Sequence, residues 1–217
     1  MDGLLFDSER IVQRSWEMAG DELGIPHMGD VIYHTLGMNR TGRNEYFRKY
    51  IREDFPFEEF GRLTRDNFWK IVDKEGLPLK KGVKELLAYG KAQGYKMAVA
   101  TSSSREYAMG NLIRAGIDPY FDSVICGDMV KKAKPDPEIY QKASESLGIP
   151  PEYCMAFEDA PGGILSAHQA GMKVIMVPDL VQSTEEIRKL TYRVCDSLAD
   201  VIGDGKSGFF PVPGGFQ

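Results

Sequence analysis

The sequence predicts an α/β protein, a parallel sheet covered by helices, with a small all-helical module inserted near its beginning. Three observations predict it. From Pro78 onward short apolar runs alternate with helical patterns, residues 10–78 carry helical periodicity alone, and polar clusters follow directly after three of the apolar runs. Strands buried on both faces read as short continuous apolar runs, and their alternation with helices implies a Rossmann-like parallel sheet. Ligands of such a sheet gather at the carboxyl ends of its strands.

In the helical block, Ile11, Val12, Trp16, Met18, Ala19 and Leu23 recur near helical spacing until Gly24 and Pro26 end the segment. Further helices are predicted over 29–36, 41–51 and 57–74. Trp16, Phe68 and Trp69 are read as the core of this module rather than as a stacking platform. The rhythm then changes. Helix 82–93 leads to strand 95–100, helix 105–115 to strand 123–126, and helix 137–147 to strand 154–157. Helix 162–170, strand 173–177, a short helix near 184–190 and a last strand at 193–194 complete the sheet domain. The domains are therefore expected as 1–9 with 79–202 for the α/β core and 10–78 for the helical insert. Residues 203–217, rich in Gly, Pro and Phe, form a loosely ordered tail.

A chain of 217 residues, 42% hydrophobic and 27% charged, buries a substantial core and is neither disordered nor collagen-like. The net charge of −5 leaves no basic face dense enough for nucleic acid, which is bound by clustered Lys and Arg that displace counterions. No apolar run approaches ~18 residues and no signal-peptide pattern opens the sequence, which points to a cytoplasmic protein with no membrane partner. Cys126, Cys154 and Cys195 are widely spaced without a CxxC, so they read as buried free thiols. No exposed apolar stripe argues for a protein partner, and a monomer or weak homodimer is expected.

The chemistry lies at the strand ends. After residues 97–100 come Thr101-Ser102-Ser103-Ser104, hydroxyls leading into a helix whose free N–H groups suit an anion, although Ser and Thr also serve as plain helix caps. After 123–126 comes Lys134 in Lys134-Pro135-Asp136-Pro137, a lysine held in a rigid turn where it can reach a phosphate as a point charge. After 154–157 come Glu158 and Asp159, then Gly162 and Gly163. Adjacent carboxylates with glycines that let the backbone approach suit a hard cation such as Mg²⁺. The alternative is that Asp159 caps the next helix while Glu158 faces solvent.

The opening Asp2-Gly3-Leu4-Leu5-Phe6-Asp7-Ser8-Glu9 resembles the first motif of the haloacid dehalogenase superfamily, in the branch of β-phosphoglucomutase-like phosphatases with a helical cap. Thr101-Ser102-Ser103 resembles the second motif, Lys134-Pro135-Asp136-Pro137 the third, and Glu158-Asp159 with Gly163 and Ala170-Gly171-Met172 the fourth. The resemblance covers roughly residues 2 to 200. It implies a Mg²⁺-dependent enzyme that hydrolyses a small phosphorylated metabolite, a sugar phosphate or nucleoside monophosphate, through an aspartyl phosphate. Asp2 is then the general acid and base, and Thr101 and Lys134 are catalytic, binding the transferring phosphoryl group. Ser102 and Ser103 join the phosphate site, and Asp2, Glu158 and Asp159 surround the metal.

The resemblance also places the nucleophilic aspartate immediately before Met1, at the end of a central strand, so the chain as given is expected to lack both. The cap selects the substrate in this family, and Arg40 and Arg43 are candidates for a second phosphate or a carboxylate. A phosphosugar mutase of the β-phosphoglucomutase type and a non-catalytic metabolite-binding protein are the alternative readings.

Overall fold

The computed structural model describes residues 1–35, 40–179 and 183–202, with Arg40 and Thr41 described by backbone alone. The predicted tail therefore lies outside the described residues, as do Gly37, Met38 and Asn39 of the arginine-bearing loop. The chain divides into two units, one of Met1–Phe6 with the chain from Leu79 on, the other Asp7–Pro78.

The unit Asp7–Pro78 is helical throughout its described elements: α1 Ser8–Glu22, α2 Val31–Thr35, α3 Arg40–Tyr50 and α4 Phe57–Glu75. Its core is aromatic. Trp16 meets Phe47 and Phe60 edge-on, each with centroids 5.6 Å away, and Phe55 packs 4.7 Å from Phe47. Trp69 corrects the expectation drawn from its spacing: it is 38% exposed, edge-on to a half-buried Phe68. Asp7, Ser8 and Glu9 also belong here rather than with the sheet, because α1 starts at Ser8.

In the other unit, α5 Val83–Ala92 precedes β1 Ala98–Ala100, α6 Arg105–Arg114 precedes β2 Ser123–Ile125, and α7 Glu138–Leu147 precedes β3 Met155–Glu158. Then come α8 Pro161–Gln169, β4 Lys173–Met176, α9 Glu185–Leu190, β5 Arg193–Val194 and α10 Ala199–Ile202. Among the described residues every ladder between two strands is parallel. β1 pairs with β2 (Ala100 opposite Ile125), and β3, β4 and β5 form a second piece with Glu158 opposite Met176. Ile125, Ile139, Ala156, Ile164, Val174 and Met176 fill the core against this sheet. Among the described residues no strand joins β1 to β3. Residues 1–6 fold instead into a tight turn in which the Met1 carbonyl accepts from the N–H groups of Leu4, Leu5 and Phe6.

The three cysteines are free thiols, two of them buried. Among the described residues no helix is long and apolar enough to cross a membrane.

Candidate active site

The site assembles where β1, β2 and β3 end. The turn after β1 is stitched to the turn after β2: Gly127 N–H donates to the Ser103 carbonyl at 2.9 Å, and Arg105 N–H to the Asp128 carboxylate at 3.0 Å. Thr101 is buried and its Oγ1 accepts from Ser103 N–H at 3.2 Å, while Ser102 is exposed. Ser104 caps α6 by accepting from Tyr107 N–H. The plain capping role belongs to Ser104, which leaves the other hydroxyls for the site.

Asp2 faces this turn. Ser103 Oγ donates to its Oδ2 at 2.8 Å and Tyr107 Oη to its Oδ1 at 3.1 Å. Ser103 is thus brought to Asp2. Tyr107 was missed in the sequence because an aromatic residue in a helical run carries no polar signature.

Lys134 spans the gap between the two sheet pieces. Its ammonium donates to the Ala100 carbonyl at the end of β1, 3.1 Å away, and to Glu158 Oε1 at the end of β3, 2.5 Å away. Glu158 is the last residue of β3, not a solvent-facing residue beyond it, and it is buried. The Tyr140 hydroxyl donates to the same Oε1. Burial works to raise the Glu158 pKa, but the charge and hydrogen bond of Lys134 hold it below the usual carboxylate range. Gly163 makes the space: a Cβ there would collide with the whole Glu158 carboxyl group.

Asp159 is pushed up to about 6, first by burial and then by the neighbouring charge of Glu158, with Asp179 adding to it. A Cβ on Gly3 would collide with Asp159 Oδ2 and stand 3.3 Å from Asp179 Oδ2, so the two carboxylates face one point beside the Gly3 backbone. Asp179 pairs with Lys80 through Oδ1, while its buried Oδ2 has no hydrogen-bond partner. Sequence reasoning missed Asp179, whose one signal is its place after the end of β4.

Carboxylates crowd together here, Glu158 buried and Asp159 and Asp179 partly so, and with one orphaned oxygen among them they suit a hard divalent cation completed by waters. The set differs from the expected one. Among the described residues no three His, Cys, Asp or Glu side chains are arranged to hold a metal ion. The expected set of Asp2, Glu158 and Asp159 is thus not such a group, and each Asp2 oxygen instead takes a hydroxyl, from Ser103 or Tyr107. Arg43 lies in the other unit with its guanidinium 5.7 Å from the centroid of the buried Trp16 ring. The side chain of Arg40 lies outside the described residues.

Hydroxyls, a lysine and paired carboxylates at the ends of parallel strands define an α/β enzyme of the phosphoryl-handling class. The chain belongs to the haloacid dehalogenase-like hydrolases, whose family model matches residues 1–177. It is similar to a phosphorylated carbohydrates phosphatase of Thermotoga maritima, with 31% identity over 81% of each chain. It also resembles the crystal structure of CbbY from Rhodobacter sphaeroides in complex with xylulose-(1,5)bisphosphate, at 25% identity, 93% of each chain and a TM-score of 0.70. The fold is shared with a β-phosphoglucomutase from Clostridium difficile, at 23% identity and a TM-score of 0.65 over 91% of this chain and 88% of that one.

Proposed function

We propose that the protein is a Mg²⁺-dependent phosphatase acting on a small phosphorylated metabolite, a sugar phosphate or a nucleoside monophosphate. The observation that carries this reading is Lys134, whose ammonium ties the end of β1 to the buried Glu158 carboxylate at the end of β3, beside Thr101. Phosphoryl transfer needs positioning and charge neutralisation above all, and these groups supply both.

In the first step a carboxylate attacks phosphorus and the ester oxygen leaves; Asp2 gives that oxygen its proton. In the second step Asp2 takes a proton from water, whose oxygen attacks phosphorus, releasing inorganic phosphate and freeing the carboxylate. The attacking carboxylate is the one the resemblance places two residues ahead of the general acid Asp2. Thr101 hydrogen-bonds the transferring group and Lys134 neutralises its charge. Glu158 and Asp159 would hold Mg²⁺ with waters completing its shell, and when bound it draws charge from the phosphoryl oxygens.

The test is phosphate release from a panel of sugar phosphates and nucleotides with Mg²⁺, for this chain and for one extended upstream by an apolar strand ending in Asp. Turnover by the extended chain, abolished by Asp2→Asn or Lys134→Ala, supports the proposal. A requirement for a bisphosphate activator would replace it with the mutase reading, and binding without turnover in both chains with the non-catalytic one.

A further inference from the structure

Tyr140 sits on α7, where its spacing with Ile139, Ala143 and Leu147 reads as core, and it is buried among them. A buried ring in that position needs no hydroxyl. Phenylalanine would pack as well, and sinking an unpartnered O–H into an apolar core is unfavourable. The hydroxyl is not idle here: it donates to Glu158 Oε1, the oxygen that also takes the Lys134 ammonium. The ring has a second contact, with the Lys134 Nζ 4.9 Å from its centroid. One side chain thus touches both members of the pair that links the ends of β1 and β3.

We propose that Tyr140 is a positioning residue of the active site, fixing the Glu158 carboxylate through its hydroxyl and the Lys134 ammonium through its ring face. This rests on the reading of Glu158 and Asp159 as the cation end of a phosphatase site. Three constraints meet at Glu158: the Tyr140 hydroxyl, the Lys134 ammonium, and the first turn of α8, where only a glycine at 163 leaves room for the carboxyl group. With Oε1 held by two donors, the carboxylate has one orientation to offer. Burial, and then the charge of Glu158, push the phenol up from its ordinary value, in keeping with its role as a donor. Partners of this kind, one bond removed from a cation, commonly govern metal affinity about 10–100-fold when lost.

The phenylalanine variant separates the two contacts, since Tyr140→Phe keeps the ring under Lys134 and removes only the hydroxyl. The experiment is a calorimetric titration with MgCl₂ of the unmodified chain, Tyr140→Phe and Asp159→Asn, with the melting temperature of each. The expected result is a Mg²⁺ dissociation constant raised about 10–100-fold in Tyr140→Phe, with loss of binding in Asp159→Asn. A Tyr140→Phe variant that melts lower but binds Mg²⁺ as tightly as the unmodified chain would make the hydroxyl structural and overturn the proposal. If Asp159→Asn binds Mg²⁺ undiminished, it is the cation reading of the site that fails. Tyr140→Leu, which removes ring and hydroxyl together, should in addition weaken binding of inorganic phosphate by releasing Lys134; unchanged phosphate affinity would refute the part assigned to the ring.

Discussion

The carboxylates of this site are held by their neighbours more than by their own backbone, and Gly163 shows how tightly. In an exposed helix Ala is preferred to Gly by about 1 kcal/mol, so Gly163→Ala on the first turn of α8 looks favourable from propensity alone. The structure reverses the sign, because the new methyl would collide with the Glu158 carboxyl group, whose far side is closed by Tyr140 and Lys134. Overpacking of this kind costs about 1–3 kcal/mol. Gly163→Ala should therefore lower the melting temperature while Gly162→Ala, with open space around its Cβ, leaves it unchanged or raised. Equal melting temperatures for the two variants would show that Glu158 moves aside freely.

Among the elements, the turn that carries Lys134 depends on Glu138 at the start of α7. Its carboxylate accepts from Lys131 N–H at 3.0 Å and Lys132 N–H at 2.9 Å, and pairs with the Lys142 ammonium at 2.9 Å. These bonds, the Lys131 N–H first, hold its pKa at about 2, well below the ordinary 4.5. A carboxylate with a lowered folded-state pKa binds fewer protons folded than unfolded. Its contribution is complete above pH 4.5 and disappears as the pH falls from there towards 2. Replacing Glu138 by Gln should flatten the loss of stability over that window, and acid melts of the two proteins with parallel slopes would show that the turn is held by other means. Most element positions were legible from sequence, because apolar period and helix-ending glycines are local signals. The roles inside them were less so. Tyr107 and Tyr140 went unremarked because a hydroxyl's partner about a hundred residues away in Asp2, or across the sheet in Glu158, leaves no trace in the local pattern. Asp179 was hidden for the same reason, since its relation to Asp159 and Gly3 exists only where strand ends meet.

For the molecule as a whole, the division into two units has an energetic counterpart: among the described residues, the aromatic cluster of Trp16, Phe47, Phe55 and Phe60 draws on the helical unit, and the cluster around Ile139, Ile164 and Val174 on the sheet unit. The insert was recognisable from residues 10–78 because a long stretch without strand rhythm inside an alternating chain implies a separate core. What the pattern did not show was which aromatics build it, and Trp69 proved half-exposed while Phe47 is nearly sealed, at 2%. Phe47 contacts Trp16, Phe55 and Phe60, so truncating it removes a shared ring and leaves a cavity, a change that costs about 3–5 kcal/mol in well-packed cores. Separate cores allow sub-global opening, in which one part of a chain loses protection before another. Phe47→Ala should thus speed amide hydrogen exchange in α1, α3 and α4 while the amides of β1 to β4 keep their protection. Equal acceleration in helices and strands would mean that the two cores open as one cooperative unit, and the insert would then have to be counted as part of what stabilises the sheet.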